Sequence, residues 1–290
     1  MKKIPTLSPS PFRPAFGSNV FTSLLFTAIL GVVLATKPSA RADWPQWRGP
    51  ERTGAFKGPT WPADFSKLEP AWEVSLGSSY SGPIITEKLV FTTESVDKRL
   101  DVEKQLLVQT REKLCGVDPS TGKLLWSQAI KTFRGMNIQT PVIQGTRLFT
   151  SAYQGTSQAW DLSDSAGSPG VTMAWEQKSE GYMSSPVVVG GKVYMHLRNK
   201  KFTCIDLASG KQEWVTDRKF GEYWSLISQG NRLLALDENG TLYLIEANPA
   251  EFKLIAEKKL SDSETWAHLA MDDDLIVIRS LKKLQAFRWK

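Results

Sequence analysis

The residues able to do covalent or metal chemistry are few, and their spacing does not assemble a known catalytic pattern. His196 and His268 are the only histidines, 72 positions apart and without the i, i+4 spacing of a helical metal site. His196 falls in an alternating apolar run, where a hydrogen-bonded structural histidine is expected. GSSYSG at 77–82 lacks the G-x-S-x-G spacing of a nucleophile elbow. Gly122-Lys123 lacks the flanking residues of a phosphate loop. Asp272-Asp273-Asp274 sits in a hairpin slot, which predicts a polar turn rather than a calcium site, and Asn239-Gly240-Thr241 is accounted for by an Asn-Gly hairpin. No metal is expected, and no residue is assigned a catalytic role.

The elements that would position any site are repeated. DPSTGKLLW (118–126) and DLASGKQEW (206–214) share Asp, Gly-Lys and Trp in one register, and DLSDSAGSPGVTMAW (161–175) is the same phrase with six residues added to its turn. Ahead of each lies an apolar run, a tight turn and a second apolar run: GPIITEKLVFT (82–92), TPVIQGTRLFT (140–150) and SPVVVGGKVYM (185–195), followed by degenerate relatives at 225–235 and 268–278. Aligning Lys88, Arg147, Lys192, Arg232 and Asp274 gives steps of 59, 45, 40 and 42 residues. Short β-runs at a period near 40–45 predict an all-β fold, a propeller of about five four-stranded antiparallel blades.

Outer strands are read at 123–130, 172–178, 212–217 and 252–259, one fewer than the blades require. PAWEVSL (70–76) supplies the missing one, with Trp72 in the register of Trp126, Trp175 and Trp214, so an N-terminal strand is expected to complete the C-terminal blade. These four tryptophans are expected to fill the wedges between blades. The long first step is attributed to an exposed, charged insertion in the first blade at 93–113. Cys115 and Cys204 fall at non-equivalent repeat positions, so two buried, unpaired thiols are expected rather than a bridge.

The net charge of +6 suggests an anionic partner until its distribution is examined. Residues 1–42 hold five basic groups (Lys2, Lys3, Arg13, Lys37, Arg41) and no acid, which leaves 31 basic against 30 acidic residues in the remainder. Nucleic-acid binding is therefore not expected. A 17-residue apolar run at 20–36, behind that basic leader and ahead of Ala40-Arg41-Ala42, reads as a signal peptide (1–42) cleaved after Ala42. An uncleaved membrane anchor is the alternative, since the run is near the lower limit of a spanning helix. The organisation expected is a signal peptide, an N-terminal extension (43–69) and the propeller (70–290), placed in the periplasm or secreted and monomeric, with no membrane span after cleavage.

The Asp-x-x-Ser/Thr-Gly-Lys-x-x-Trp phrases resemble the pyrroloquinoline-quinone (PQQ)-like propeller repeat, and DWPQWRGPERTG (43–54) resembles the opening of exported quinoprotein-like or outer-membrane assembly-factor-like propellers. The resemblance covers 43–217 well and 218–290 weakly. It implies either a binding or scaffolding module or a PQQ-dependent oxidoreductase. The quinone enzymes of the superfamily use eight blades, two adjacent cysteines, a calcium held by carboxylate and amide oxygens, and an Asp base. This chain has no Cys-Cys pair and no carboxylates that map onto those positions, so a non-catalytic module in the cell envelope, without PQQ, is the first expectation. Its partner would be an envelope protein or a small ligand. Ligands of propellers approach the face where inner strands begin, where Tyr80, Gln139, Tyr182, Trp224 and His268 are placed as candidate binding residues.

Overall fold

A computed structural model describes residues 44, 47–75, 83–86, 89–92, 99–102, 105–165 and 168–290. The proposed signal peptide (1–42) and Tyr80 lie outside the described residues. Strand β1 is Leu68–Ser75, and β2 (Pro83–Thr86) and β3 (Leu89–Thr92) form a hairpin. A first four-stranded sheet contains β4 (Arg99–Val102), β5 (Gln105–Gln109), β6 (Lys113–Val117) and β7 (Leu124–Ala129). A second follows with β8 (Val142–Gln144), β9 (Arg147–Ser151), β10 (Ser157–Ser165) and β11 (Ser168–Gln177), and a third with β12 (Val187–Val189), β13 (Lys192–His196), β14 (Phe202–Asp206) and β15 (Gln212–Val215). The fourth holds β16 (Trp224–Gln229), β17 (Arg232–Asp237), β18 (Thr241–Glu246) and β19 (Lys253–Lys259). The fifth joins β20 (Ala270–Asp272), β21 (Leu275–Arg279) and β22 (Lys283–Trp289) to β1. Every pairing between these strands is antiparallel, and the fold is an all-β propeller with five four-stranded sheets.

The expected pairing of the N-terminal strand with the last blade is present, Leu68 opposite Trp289 through Ser75 opposite Lys283. The first blade differs from the sequence reading. Residues 93–113 are not simply an exposed excursion: β5 alternates buried Gln105, Leu107 and Gln109 with half-buried residues and pairs with β6. Charge density across the segment conceals this period-2 run, QLLVQ, which is a half-buried strand by pattern.

One construction recurs on four of the five outer strands. Trp126 lies opposite Gly116, Trp175 opposite Ala159, Trp214 opposite Cys204 and Trp72 opposite Ala286, and beside each pair the register shifts by a β-bulge. A large indole needs a small residue across the strand. At Gly116 the requirement is explicit, because a Cβ would stand 2.3 Å from Trp126 Nε1. The fourth sheet keeps the bulge and inverts the sizes, with Ala256 opposite Leu244. The bulge sharpens local twist, which turns the outermost strand away from the plane of its sheet.

Trp126, Trp175 and Trp214 are half-buried, and the four tryptophans divide into two kinds. Trp175 Nε1 donates to Leu207 O (2.9 Å) and Trp214 Nε1 to Asn248 O (2.9 Å), each bridging to the next sheet. Trp126 instead donates to Gln105 Oε1 (2.7 Å) within its own sheet, and Trp72 is 38% exposed, so neither makes that bridge. The reason lies in the receiving turn. Gly210, in the Asp-x-x-x-Gly turn beside Trp175, would place a Cβ 2.6 Å from the indole, whereas a Cβ on Gly122 would meet nothing within 4 Å. Trp126 faces the lengthened β10–β11 hairpin, packing with Trp160, Leu162 and Val171, where no such turn exists.

The segment before β1 is part of the core rather than an extension. Trp44, Phe56, Trp61, Phe65 and Leu68 are buried in one cluster with Ile227, Leu269 and Trp289. Residues 54–56 pair in parallel with the free inner edge of β16, through Phe56 N to Ser228 O and Ser228 N to Gly54 O, both 2.7 Å. Farther out, Trp289 Nε1 donates to Asp64 O (2.7 Å), Phe65 packs on Trp289 at 5.2 Å, and Lys258 Nζ bonds Leu68 O. Side chains of 61–68 thus occupy the wedge between the fourth and fifth sheets, which accounts for Ala256 at the tryptophan position there.

Candidate functional site

The sequence-predicted residues fall on a belt that ties sheet to sheet. Gln139 is fully buried and donates through Nε2 to Ser184 O (2.8 Å), while Thr140 N donates to Ser185 Oγ (2.9 Å). One step on, Trp224 N donates to Ser184 Oγ (2.8 Å), and after another step Leu269 N donates to Ser225 Oγ (2.9 Å). Trp224 is enclosed by His196, Phe202, Phe220 and Tyr243 rings. His268 Nδ1 lies 2.9 Å from Leu269 O, and its ring meets Trp47 edge-on at 5.6 Å. Gln139, Trp224 and His268 are therefore beneath the surface. Of the described candidates, Tyr182 alone retains substantial partial exposure.

Both histidines are held neutral. Burial pushes His196 down to about 4, and burial with the Arg48 charge nearby pushes His268 down to about 3. Cys115 on β6 and Cys204 on β14 are buried, unpaired thiols, and burial raises both, Cys204 to about 11. Such thiols are poor nucleophiles at neutral pH. Among the described residues, no group of three or more His, Cys, Asp or Glu is placed to hold a metal ion.

What is presented to solvent at this end is an aromatic row of which sequence reasoning named only Tyr182. Phe133 (39% exposed) lies 6.0 Å from Tyr153, which packs 4.7 Å from Tyr182. Two guanidiniums flank it, Arg134 5.0 Å from the Phe133 centroid and Arg198 4.8 Å from that of Tyr153. The loops are fastened to each other: Phe133 N donates to Tyr153 O (3.0 Å), Arg198 N to Glu180 O (2.9 Å), and Arg198 Nη1 pairs with Glu180 Oε2 (3.0 Å). Gly135 takes φ +69 in the turn, and a side chain there would strike Arg111, whose guanidinium holds Arg134 O. Beside Arg198 opens a polar groove of about 700 Å³ lined by Glu180, Arg198, Lys201, Gln212 and Val215 among others. Aromatic faces beside cations can receive flat or apolar groups and carboxylates.

Tyr153 escaped notice because only the connections entering inner strands were considered. In a four-stranded meander the turn between the second and third strands opens on the same end, and Tyr153 and Arg198 occupy those turns. The signal was a Tyr at the β9–β10 turn, at 153.

The five bulged sheets with their shared outer-strand register make this a PQQ-like β-propeller. Over residues 61–216 the sequence matches the family described as outer membrane protein assembly factor BamB, and the chain belongs to that family. Among solved structures, BamB from Moraxella catarrhalis is similar with a TM-score of 0.54 at 13% identity, covering 74% of this chain and 69% of that one. The computationally designed Ika8 protein gives a TM-score of 0.48 at 12% identity, covering 66% of this chain and 57% of the other. No curated protein sequence matches the chain.

Proposed function

We propose that this chain is an exported, non-catalytic propeller that serves as a binding or scaffolding module in the cell envelope, with its leader removed after Ala42. The observation that carries this reading is the division of polar chemistry. His196, His268, Cys115 and Cys204 are buried away from solvent, with the imidazoles neutral and the thiols protonated, while the solvent-facing end offers aromatic rings and cations suited to contact. Membership of a family described by an outer-membrane assembly factor supports an envelope setting. Among the described residues, no helix is long and apolar enough to cross a membrane.

The quinone reading is weakened by the donor set. Cys115 and Cys204 stand in different sheets, and the described residues bring together no carboxylate cluster for a calcium.

The aromatic row, with Tyr182 as its sequence-predicted member, is the proposed contact surface for an envelope protein. Photo-crosslinking from position 153 or 182 in intact cells should trap one discrete envelope protein, with the Arg198→Glu variant losing the adduct. Envelope-purified material should have the mass of a chain starting at Asp43. Recovery of Met1-containing chain in membranes would favour the anchor, and dye reduction by purified protein given PQQ and calcium would replace this reading with the oxidoreductase.

A further inference from the structure

The least balanced charge among the described residues is a cation that neither the aromatic row nor the blade belt uses. Arg48 is completely buried. It stands in the left-handed region at φ 64, followed by Gly49 at φ 79, and Gly54 N bonds back to Arg48 O (3.0 Å), closing a loop that turns the guanidinium inward. A Cβ at Gly54 would lie 3.0 Å from Arg48 Nη2 and 3.0 Å from Leu226 O, so the absence of a side chain there lets the guanidinium approach β16. Nη2 donates to Thr53 O (2.9 Å) and to Pro186 O. Nε and Nη1 have no hydrogen-bond partner, and no carboxylate among the described residues pairs with Arg48.

The surroundings are the starts of three inner strands. Pro186 precedes β12, Tyr223 precedes β16 and His268 precedes β20, while the Trp47 ring, which packs on His268, lies 5.8 Å from the guanidinium carbon. Carbonyl dipoles supply only part of the charge needed here. A buried guanidinium with neither counter-ion nor full hydrogen bonding is strongly unfavourable, because it loses its hydration and receives too little in return. The unbalanced charge is felt locally: burial lowers Arg48 to about 9, and Arg48 helps to depress His268.

We propose that Arg48 is the centre of an enclosed anion site at the inner start of the third to fifth blades, taking one monovalent anion of chloride or carboxylate size. The uncommitted Nε–H and Nη1–H groups are its donors. Tyr223, buried at the start of β16, is a neutral neighbour and brings no negative charge of its own to offset the guanidinium. His268, whose Nδ1 faces the Leu269 carbonyl, is neutral and adds no competing negative charge. A divalent phosphate would bring more charge than one guanidinium offsets, so small monoanions are the fitting class. The inference stands apart from the proposed contact surface and does not depend on it.

The test is thermal unfolding of the mature chain titrated with sodium chloride or sodium acetate, at constant ionic strength maintained by a bulky sulfonate. The wild type should gain about 3 °C per tenfold increase in the anion that binds, as mass action on the folded state requires. Arg48→Met should show no such slope. A response to chloride alone identifies an inorganic ion, and a response to acetate identifies a carboxylate. Equal slopes in wild type and R48M, or none in the wild type, overturn the proposal. If R48M does not fold, crystals of the wild type soaked in bromide decide the matter: an anomalous peak within hydrogen-bond reach of Arg48 Nε or Nη1 is expected, and water alone at that place overturns it.

Discussion

At the scale of single residues, the same glycine in two copies of one phrase has two different jobs. Gly122 and Gly210 both adopt positive φ, +72 and +75, in Asp-x-x-x-Gly turns, but only Gly210 lies under an indole. Gly122→Ala should therefore cost about 1–2 kcal/mol, the left-handed penalty alone. Gly210→Ala adds displacement of Trp175 and should cost about 3 kcal/mol or more, both read by denaturant titration. The histidines give a pH signature. Because folding depresses His196 to about 4 and His268 to about 3, below an ordinary value near 6.5, the unfolded chain binds protons that the folded chain refuses. Their contribution is fully present above about pH 6.5 and is lost as pH falls, at up to about 1.4 kcal/mol per unit for each histidine down to its folded value. A His196→Gln variant should show a shallower acid slope than the wild type between pH 6 and 4.

At the scale of elements, the outer-strand tryptophans separate structural from nominal equivalence. Trp214 crosses to Asn248 and packs with the Tyr194 and Phe202 rings, so Trp214→Ala should cost about 3 kcal/mol. Trp72 occupies the same register opposite a small residue, Ala286, yet is more exposed and makes no bridge to a neighbouring sheet, and Trp72→Ala should cost less, about 1 kcal/mol. Chemical denaturation of the two variants side by side checks the difference. This contrast also marks how far the sequence could be read. Strand positions, hairpin turns and the pairing of β1 with the last blade were legible because period-2 alternation and the recurring Trp report directly on backbone geometry. Whether an indole finds a neighbouring turn depends on the adjacent sheet, which a local phrase does not encode. Nor did anything local reveal that Gln139 and the Trp224 backbone would be spent on sheet-to-sheet bonds, that His268 would be buried beside them, or that Tyr153 and Arg198 would share the open end with Tyr182.

At the scale of the molecule, the segment 44–68 decides whether the fourth and fifth blades have a common core. It carries no repeat, so nothing in its own pattern distinguished it from a tail. Removing residues 43–66 takes Trp44, Phe56, Trp61 and Phe65 out of one buried cluster. At about 3 kcal/mol or more for each buried aromatic, the loss exceeds the 5–15 kcal/mol that holds an ordinary domain together. The truncated chain should fail to show a cooperative melting transition by circular dichroism, and should aggregate on expression.

The pairing of β1 with β22 also sets an order of events. Glu73 and Gln285, bonded across it, are 212 residues apart in sequence. Contacts of such separation come late and slowly, because the intervening chain must surrender its freedom before they return any stability. During synthesis, β1 and the aromatic residues ahead of it emerge long before their partner strand exists. Through that interval the chain holds an unpaired strand and several unshielded rings, the combination most prone to association with other chains. The waiting time is built into the topology: no local substitution shortens it, whereas a circular permutation that places β1 directly after β22 would.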